Sequence, residues 1–309
     1  MRSQLLRGFL WLLLAVALPL TSTLSHAETR CPANVSTLHP RMVADALLVI
    51  PVMVNKAGPF DFLVDTGSQP NVIDPSLAAS LGLKSLGPVG LITASTFLHG
   101  SVASLTSLEA GGYTLKKPVV VVEDLGALQN ADPRIRGVLG ENFLAHFDVL
   151  IDYSRMLLCL DRSKLMQGEL QGDRIPLVPA KHPEHELPFL DRLVVSVNLS
   201  DSGTRDILLQ LDSGSTGLIL YSGNKKLERL LKKARTQGPN VDDARRAFAV
   251  LPLQDMRVGA RTIRKVPFVT PVNAATNVPD RDEDGILATV LFERVYINHA
   301  DRYVMLNPR

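Results

Sequence analysis

Two tetrapeptides carry the strongest chemical signal in the sequence: Asp65-Thr66-Gly67-Ser68 and Asp212-Ser213-Gly214-Ser215, whose aspartates stand 147 positions apart (212 − 65). Phe62-Leu63-Val64 and Leu208-Leu209-Gln210-Leu211 run largely apolar up to the two carboxylates. A carboxylate between buried strands is costly unless several groups hydrogen-bond to it, so neither tetrapeptide reads as an ordinary surface turn. Two carboxylates within hydrogen-bond range cannot both ionise easily, and they share one proton over a wide pH interval. The ionised member can take a proton from water while the protonated member donates to a carbonyl oxygen. The activated water then adds to the carbonyl carbon, with no metal and no covalent intermediate. Asp65 and Asp212 are therefore the candidate catalytic residues. Gly67 and Gly214 permit a tight backbone and leave amides free to face the carboxylates. Ser68 and Ser215 are expected to donate hydroxyls to the same carboxylates, which would favour the charged form. Thr66 and Ser213 carry hydroxyls at matched positions.

The elements around these turns repeat. Val52 to Asn55 and Phe60 to Val64 read as two strands joined by a polar turn and leading into Asp65; Val195 to Asn198 and Ile207 to Leu211 do the same for Asp212. Asn71-Val72-Ile73 is matched by Leu218-Ile219-Leu220, and a helical segment follows each: Pro75 to Leu81, closed by Gly82, and Lys225 to Arg235. Further on, Arg136-Gly137-Val138-Leu139-Gly140 corresponds to Asp284-Gly285-Ile286-Leu287-Ala288. Each half then ends on two apolar strands. The expected organisation is a signal peptide at 1–27, an N-terminal segment at 28–45, and two β-rich lobes at 46–165 and 190–309. A Gly-, Pro- and charge-rich linker at 166–189 joins the lobes.

These turns and the later apolar-apolar-Gly elements resemble those of the bilobal aspartic peptidases of the pepsin and retropepsin superfamily. Pro51-Val52-Met53-Val54-Asn55 through Phe62 to Ser68 is similar, more narrowly, to the first lobe of bacterial retropepsin-like aspartyl proteases. The resemblance covers nearly all of residues 46–309. It implies an all-β, acid-protease fold: two similar closed-barrel-like lobes, a few short helices, and an active site in the cleft between lobes. It implies that each apolar element crosses under its own catalytic turn, which singles out Gly137, Leu139 and Gly140 in one lobe and Gly285 and Leu287 in the other. Ala288 stands where the pattern has its last glycine. Thr66 and Ser213 would hydrogen-bond across the lobe interface and fix the dyad spacing. A β-hairpin flap is expected near Leu91 to Gly100, with Thr96, Phe97 and Leu98 nearest to substrate. That segment has no tyrosine, so a cover of the retropepsin type is expected, with a core hairpin remote from substrate as the alternative. The implied substrate is a peptide or protein, with no cofactor and no metal. Because both lobes lie in one chain, a monomer is expected.

Composition narrows the field further. The chain has 309 residues, 46% hydrophobic, with 21 Gly and 20 Pro, which excludes a disordered chain or a collagen. Arg2 and Arg7, the apolar run Phe9 to Leu20 and the small residues flanking His26 read as a secretory signal with cleavage expected after Ala27, an uncleaved transmembrane anchor being the alternative. The apolar run is shorter than the roughly 20 residues a membrane span needs. An exported protein, periplasmic or secreted and without a stable membrane anchor, is expected. Removing two arginines leaves 31 basic against 31 acidic residues (33 − 2), so the formal +2 charge supports no nucleic-acid partner. Cys31 and Cys159 either form one bridge in an oxidising compartment or remain a free N-terminal thiol and a buried strand cysteine. His182, Glu184, His185 and Glu186 lack metal-site spacing and read as solvated linker. The basic helix near 225–235 reads as a solvated face, with acidic lipid or an acidic partner as the alternative. Three functions remain: an exported aspartic endopeptidase, a catalytically silent peptide-binding module of the same fold, and a processing enzyme dedicated to one partner protein.

Overall fold

The computed structural model describes residues 30–93, 97–179, 192–203, 206–222, 227–236, 248–272 and 282–307. The described residues begin with a turn of 3-10 helix at Pro32–Asn34, then β1 (Ser36–Leu38) and β2 (Arg41–Val43). A first sheet is built from β3 (Leu47–Val54), β4 (Ala57–Val64), β5 (Val72–Ile73), β6 (Gly87–Ile92), β7 (Phe97–Ser104), β8 (Ser107–Ala110), β9 (Tyr113–Lys116), β10 (Val119–Val122) and β11 (Ile135–Leu139). Their spatial order is β6-β7-β10-β5-β11-β4-β3-β8-β9, with β2 paired to β3. After β12 (Asp148–Asp152), β13 (Leu157–Asp161) and β14 (Ile175–Pro176), the plan repeats. The second sheet holds β15 (Val194–Leu199), β16 (Ile207–Asp212), β17 (Leu218–Leu220), β18 (Arg235–Thr236), β19 (Phe248–Val250), β20 (Gln254–Val258), β21 (Arg261–Val266), β22 (Phe268–Pro271) and β23 (Gly285–Ala288). It runs β18-β19-β22-β17-β23-β16-β15-β20-β21, and β24 (Arg294–Asn298) and β25 (Tyr303–Leu306) follow. The fold is all-β with a few short helices, as the two strand-rich repeats predict.

Strand periodicity explains why both faces of these sheets are buried. Along β3 and β4, Leu48, Ile50, Val52, Phe62 and Val64 enter the main core. The intervening Leu47, Val49 and Leu63 pack with Val72, Val121, Ile135 and Val138 in a second cluster. Alternate side chains of a strand point to opposite faces, so one apolar run serves two cores. A strand apolar on both faces cannot be shifted in register without loss on both sides.

A third sheet joins the halves in the order β1-β13-β12-β24-β25-β14. At its centre Leu150 of β12 faces Tyr296 of β24. Leu150 faces Cys159 in its own hairpin and Tyr296 faces Met305 in its own, both nine positions onward. The seam is thus a two-fold pseudo-symmetric contact between equivalent hairpins. Val149, Ile151, Val295 and Ile297 face the main core and are 0% exposed. Each such burial stabilises by about 1.5–3 kcal/mol. Leu150, Leu157, Tyr296, Tyr303 and Met305 form a separate cluster on the opposite face. The Tyr296 hydroxyl, buried there, donates to Asp148 Oδ2 at 2.9 Å, so the phenol is not left unsatisfied.

Several details differ from the sequence expectation. Cys31 and Cys159 are bridged in the structure (S–S 2.05 Å), which ties the N-terminal segment to β13. The stretch read as linker holds a short helix at Met166–Glu169 and the strand β14, whose ladder with β25 completes the shared sheet. The basic helix is reduced to Glu228–Leu231, because Arg235 and Thr236 instead pair with Val250 and Ala249 in a ladder. Lys225, Lys226, His182, Glu184, His185 and Glu186 lie outside the described residues. Among the described residues no helix is long and apolar enough to cross a membrane, and no cluster of His, Cys, Asp or Glu could hold a metal.

Candidate active site

The first turn is suspended between β4 and β5, which do not pair with each other: β11 lies between them, parallel to β4 and antiparallel to β5. Gly137, Leu139 and Gly140 therefore lie on the strand and loop beneath the turn. Asp65 N–H donates to Leu139 O at 3.0 Å, and Glu141 N–H donates to Ser68 O at 2.9 Å. The Asn71 side-chain oxygen accepts from Gly140 N–H at 2.9 Å. A side chain at Gly140 would stand 2.7 Å from Ser68 O, so only glycine allows this approach. Within the turn, the Gly67 and Ser68 amides donate to Asp65 Oδ1 at 2.8 and 3.0 Å.

The second turn repeats the arrangement. β23 runs parallel to β16 and antiparallel to β17, which puts Gly285 and Leu287 beneath it and Ala288 opposite Asp212. Ala288 is fully buried and its methyl is accommodated where the first lobe has Gly140. The Gly214 amide donates to Asp212 Oδ1 at 2.7 Å.

Four hydrogen bonds lock the turns to each other. Thr66 N–H donates to Ser213 Oγ and Ser213 N–H donates to Thr66 Oγ1, both at 3.1 Å. The Thr66 hydroxyl continues to Leu211 O at 3.1 Å and the Ser213 hydroxyl to Val64 O at 2.8 Å. Each of the two buried hydroxyls donates once and accepts once across the lobes. A fifth bond, from Gln210 Nε2 to Gly67 O at 2.9 Å, comes from the one polar residue in β16's apolar run. The sequence displays that break in the run but offers no partner for it.

The glycines of the turns are required for a reason other than backbone torsion. A Cβ on Gly67 would lie 2.5 and 2.7 Å from the carboxylate oxygens of Asp212, and one on Gly214 would lie 2.5 and 2.6 Å from those of Asp65. Each glycine makes room for the carboxylate of the opposite lobe. Neither has a positive φ. The two carboxylates are thus brought face to face between the lobes and are half-buried there.

Burial raises the pKa of both. Asp212 is held well above the ordinary carboxylate range by desolvation and then by the charge of Asp65. Asp65 is raised by desolvation, with the Gly67 amide, Asp212 and the Ser68 amide pulling the other way and Glu141 adding to the rise. Such a pair titrates as a unit and retains one proton well above the pH at which an isolated aspartate ionises.

Ser68 and Ser215 depart from expectation. Their hydroxyls donate to Pro70 O (2.9 Å) and Gly217 O (2.8 Å), not to the carboxylates. A carbonyl two residues on closes a local loop, and the backbone amides already fill the carboxylates' inner lone pairs. The expected flap is a hairpin in which Leu91 pairs with Leu98 and Ile92 with Phe97. Leu98 is half-buried, and Thr96 lies outside the described residues. Sequence reasoning also passed over Glu141, Tyr153, Thr289 and His299, whose side chains meet behind the turns.

A family model described as "Aspartyl protease" matches residues 50–143, which takes in Asp65 and its turn, β11 and the loop beneath. No curated protein matches the chain.

Proposed function

We infer that this protein is an exported aspartic endopeptidase that hydrolyses peptide bonds with the Asp65–Asp212 pair. The observation that carries the inference is the reciprocal packing of each carboxylate over the other lobe's glycine. This is supported by the raised pKa values that let the pair hold one proton between them. In the reaction the ionised carboxylate takes a proton from water, and the water oxygen adds to the peptide carbonyl carbon. The protonated carboxylate donates to the carbonyl oxygen. The diol then collapses as the leaving nitrogen gains a proton, and the carboxylates exchange roles. The amides of Gly67, Ser68 and Gly214 hold the carboxylates in place without consuming a proton.

Digestion of an unfolded protein across about pH 3 to about pH 8 tests this, with Asp65→Asn and Asp212→Asn beside the wild type. Cleavage lost in both variants with the fold retained is the expected result. Peptide binding without cleavage at any pH would identify a binding module instead, and cleavage of a single partner protein would identify a dedicated processing enzyme. Export is supported by the basic and apolar leader and by the Cys31–Cys159 bridge, which persists in oxidising compartments. Mass spectrometry of the protein from the exported fraction should find Glu28 as its first residue, and size-exclusion chromatography should find a monomer.

A further inference from the structure

Behind the two catalytic turns the lobes meet through a pair of equivalent contacts. Glu141 follows Gly140, and Thr289 follows Ala288, which holds the same place in the second lobe. Each is reached by the first residue beyond the central seam strand of the other half. Tyr153, one place after β12, bonds Thr289 Oγ1 at 2.7 Å. His299, one place after β24, bonds Glu141 Oε2 through Nε2 at 2.9 Å. Each also reaches the residue just before the other half's seam strand, but by different atoms: Tyr153 through its backbone N–H to Glu293 O at 2.8 Å, and His299 through its ring Nδ1 to Phe147 O at 2.6 Å.

The pseudo-symmetry holds in position and fails in chemistry. Tyr153–Thr289 is a neutral hydroxyl pair; burial, with the nearby charge of Asp212, pushes the Tyr153 phenol up to about 12. Glu141–His299 is ionisable and almost fully enclosed, with side chains 2% and 10% exposed. The Phe147 carbonyl can only accept, so Nδ1 carries a proton. Nε2 faces the Glu141 carboxyl at hydrogen-bond distance, which favours the imidazolium form of the ring. Burial opposes the charge on His299, but Glu141 and the Phe147 carbonyl outweigh it and raise its pKa. The other carboxylate facing the ring is Asp148 of β12, itself bonded to Tyr296 and influenced by Asp161 and Lys164. Facing Asp65 are Asp212 and Glu141.

Resting on the assignment of Asp65 and Asp212 as the catalytic pair, we propose that Glu141 and His299 are positioning residues that hold the Asp65 turn from behind and set the pH at which the pair of carboxylates becomes competent. Glu141 is joined to that turn directly, its amide donating to Ser68 O while the Ser68 amide donates to Asp65. Its negative charge raises Asp65, and the imidazolium offsets part of that effect. The second lobe has only the uncharged contact, so the two carboxylates of a nearly symmetric site are made unequal.

The experiment is a pH profile of kcat/KM on a peptide substrate for wild type, Glu141→Gln, His299→Gln, the double variant and Tyr153→Phe. Glu141→Gln removes the negative charge and should move the acid limb to lower pH. His299→Gln leaves that charge unopposed and should move it to higher pH. The double variant should return it to near the wild-type position, and Tyr153→Phe should lower kcat without moving it. Limbs that stay in place in both single variants, with only a uniform loss of kcat, would overturn the proposal while leaving the catalytic pair intact. Carboxyl 13C titration of aspartate-labelled protein reads the same shifts without turnover. If the wild type cleaves nothing, the catalytic assignment fails and this titration still decides whether Glu141 and His299 tune Asp65.

Discussion

Replacing Gly67 by alanine should disable the site by displacing a residue of the other lobe. The new Cβ would stand 2.5 Å from Asp212 Oδ2, whereas ordinary contact begins near 3.4 Å. Asp212 or the whole second turn must therefore retreat by the difference, about 0.9 Å. The turns cannot part easily, because the reciprocal Thr66 and Ser213 bonds lie one residue away from both carboxylates. Overpacking of this kind costs about 1–3 kcal/mol of stability, and a misplacement near 1 Å at reacting groups costs on the order of 100-fold in rate. Cleavage of a fluorogenic peptide should show kcat lowered by about two orders of magnitude with KM nearly unchanged. Gly214→Ala, which crowds Asp65 at 2.5 and 2.6 Å, should behave in the same way. Gly168→Ala, where nothing lies within 4 Å, is the control. Wild-type kcat in either turn variant would refute the opposed-carboxylate geometry.

Asp212→Asn should abolish cleavage and yet stabilise the fold at neutral pH. A carboxyl whose folded pKa is raised contributes stability that is complete below its unfolded value near 3.8 and is lost as pH rises through the folded one. Melts at about pH 3 should coincide with wild type, while at about pH 7 the variant should melt higher. Ser68→Ala should cost about 0.5–1.5 kcal/mol and leave the acid limb of the pH profile in place, since the hydroxyl serves Pro70 O; a moved limb would restore the carboxylate-donor role. Cys31→Ala with Cys159→Ala frees a 128-residue separation, and chain entropy puts the loss near 5 kcal/mol, measurable by urea unfolding with and without reductant.

The parts of the site readable in the sequence are those whose cause is local. The apolar runs into Asp65 and Asp212, the small residues of the turns and the later Gly-containing elements all act through strands and turns that neighbouring residues dictate. The same is true of the helix at Pro75–Ser80, where Asp74 accepts from the Ser76 and Leu77 amides as the cap that a start at Pro75 requires. What could not be read depends on distant chain. Glu141 and His299 are 158 positions apart, and neither sits in a pattern that announces the other. Gln210 marks a break in an apolar strand but not the Gly67 carbonyl it seeks. The role of Gly67 was legible while its reason was not: the backbone torsion is unremarkable, and the constraint is a carboxylate from the other lobe. Strand β14 escaped because two residues of a polar stretch gain their ladder only from β25.

The seam also sets a timetable for synthesis. β12 finds its partner in β24, and Arg294 is made 142 positions after Asp152 (294 − 152). At roughly 5–20 residues per second, the first half waits about 7–28 s with an apolar strand edge open to any passing strand. Unpaired edges of this kind invite pairing with another chain unless charge discourages it. Both ends of β12 are aspartates, Asp148 and Asp152. In the finished protein they are buried, Asp148 against Tyr296 and Asp152 against Arg294. In the waiting nascent chain the same two charges stand at the corners of the exposed edge, so residues that later serve the seam first serve as its guards.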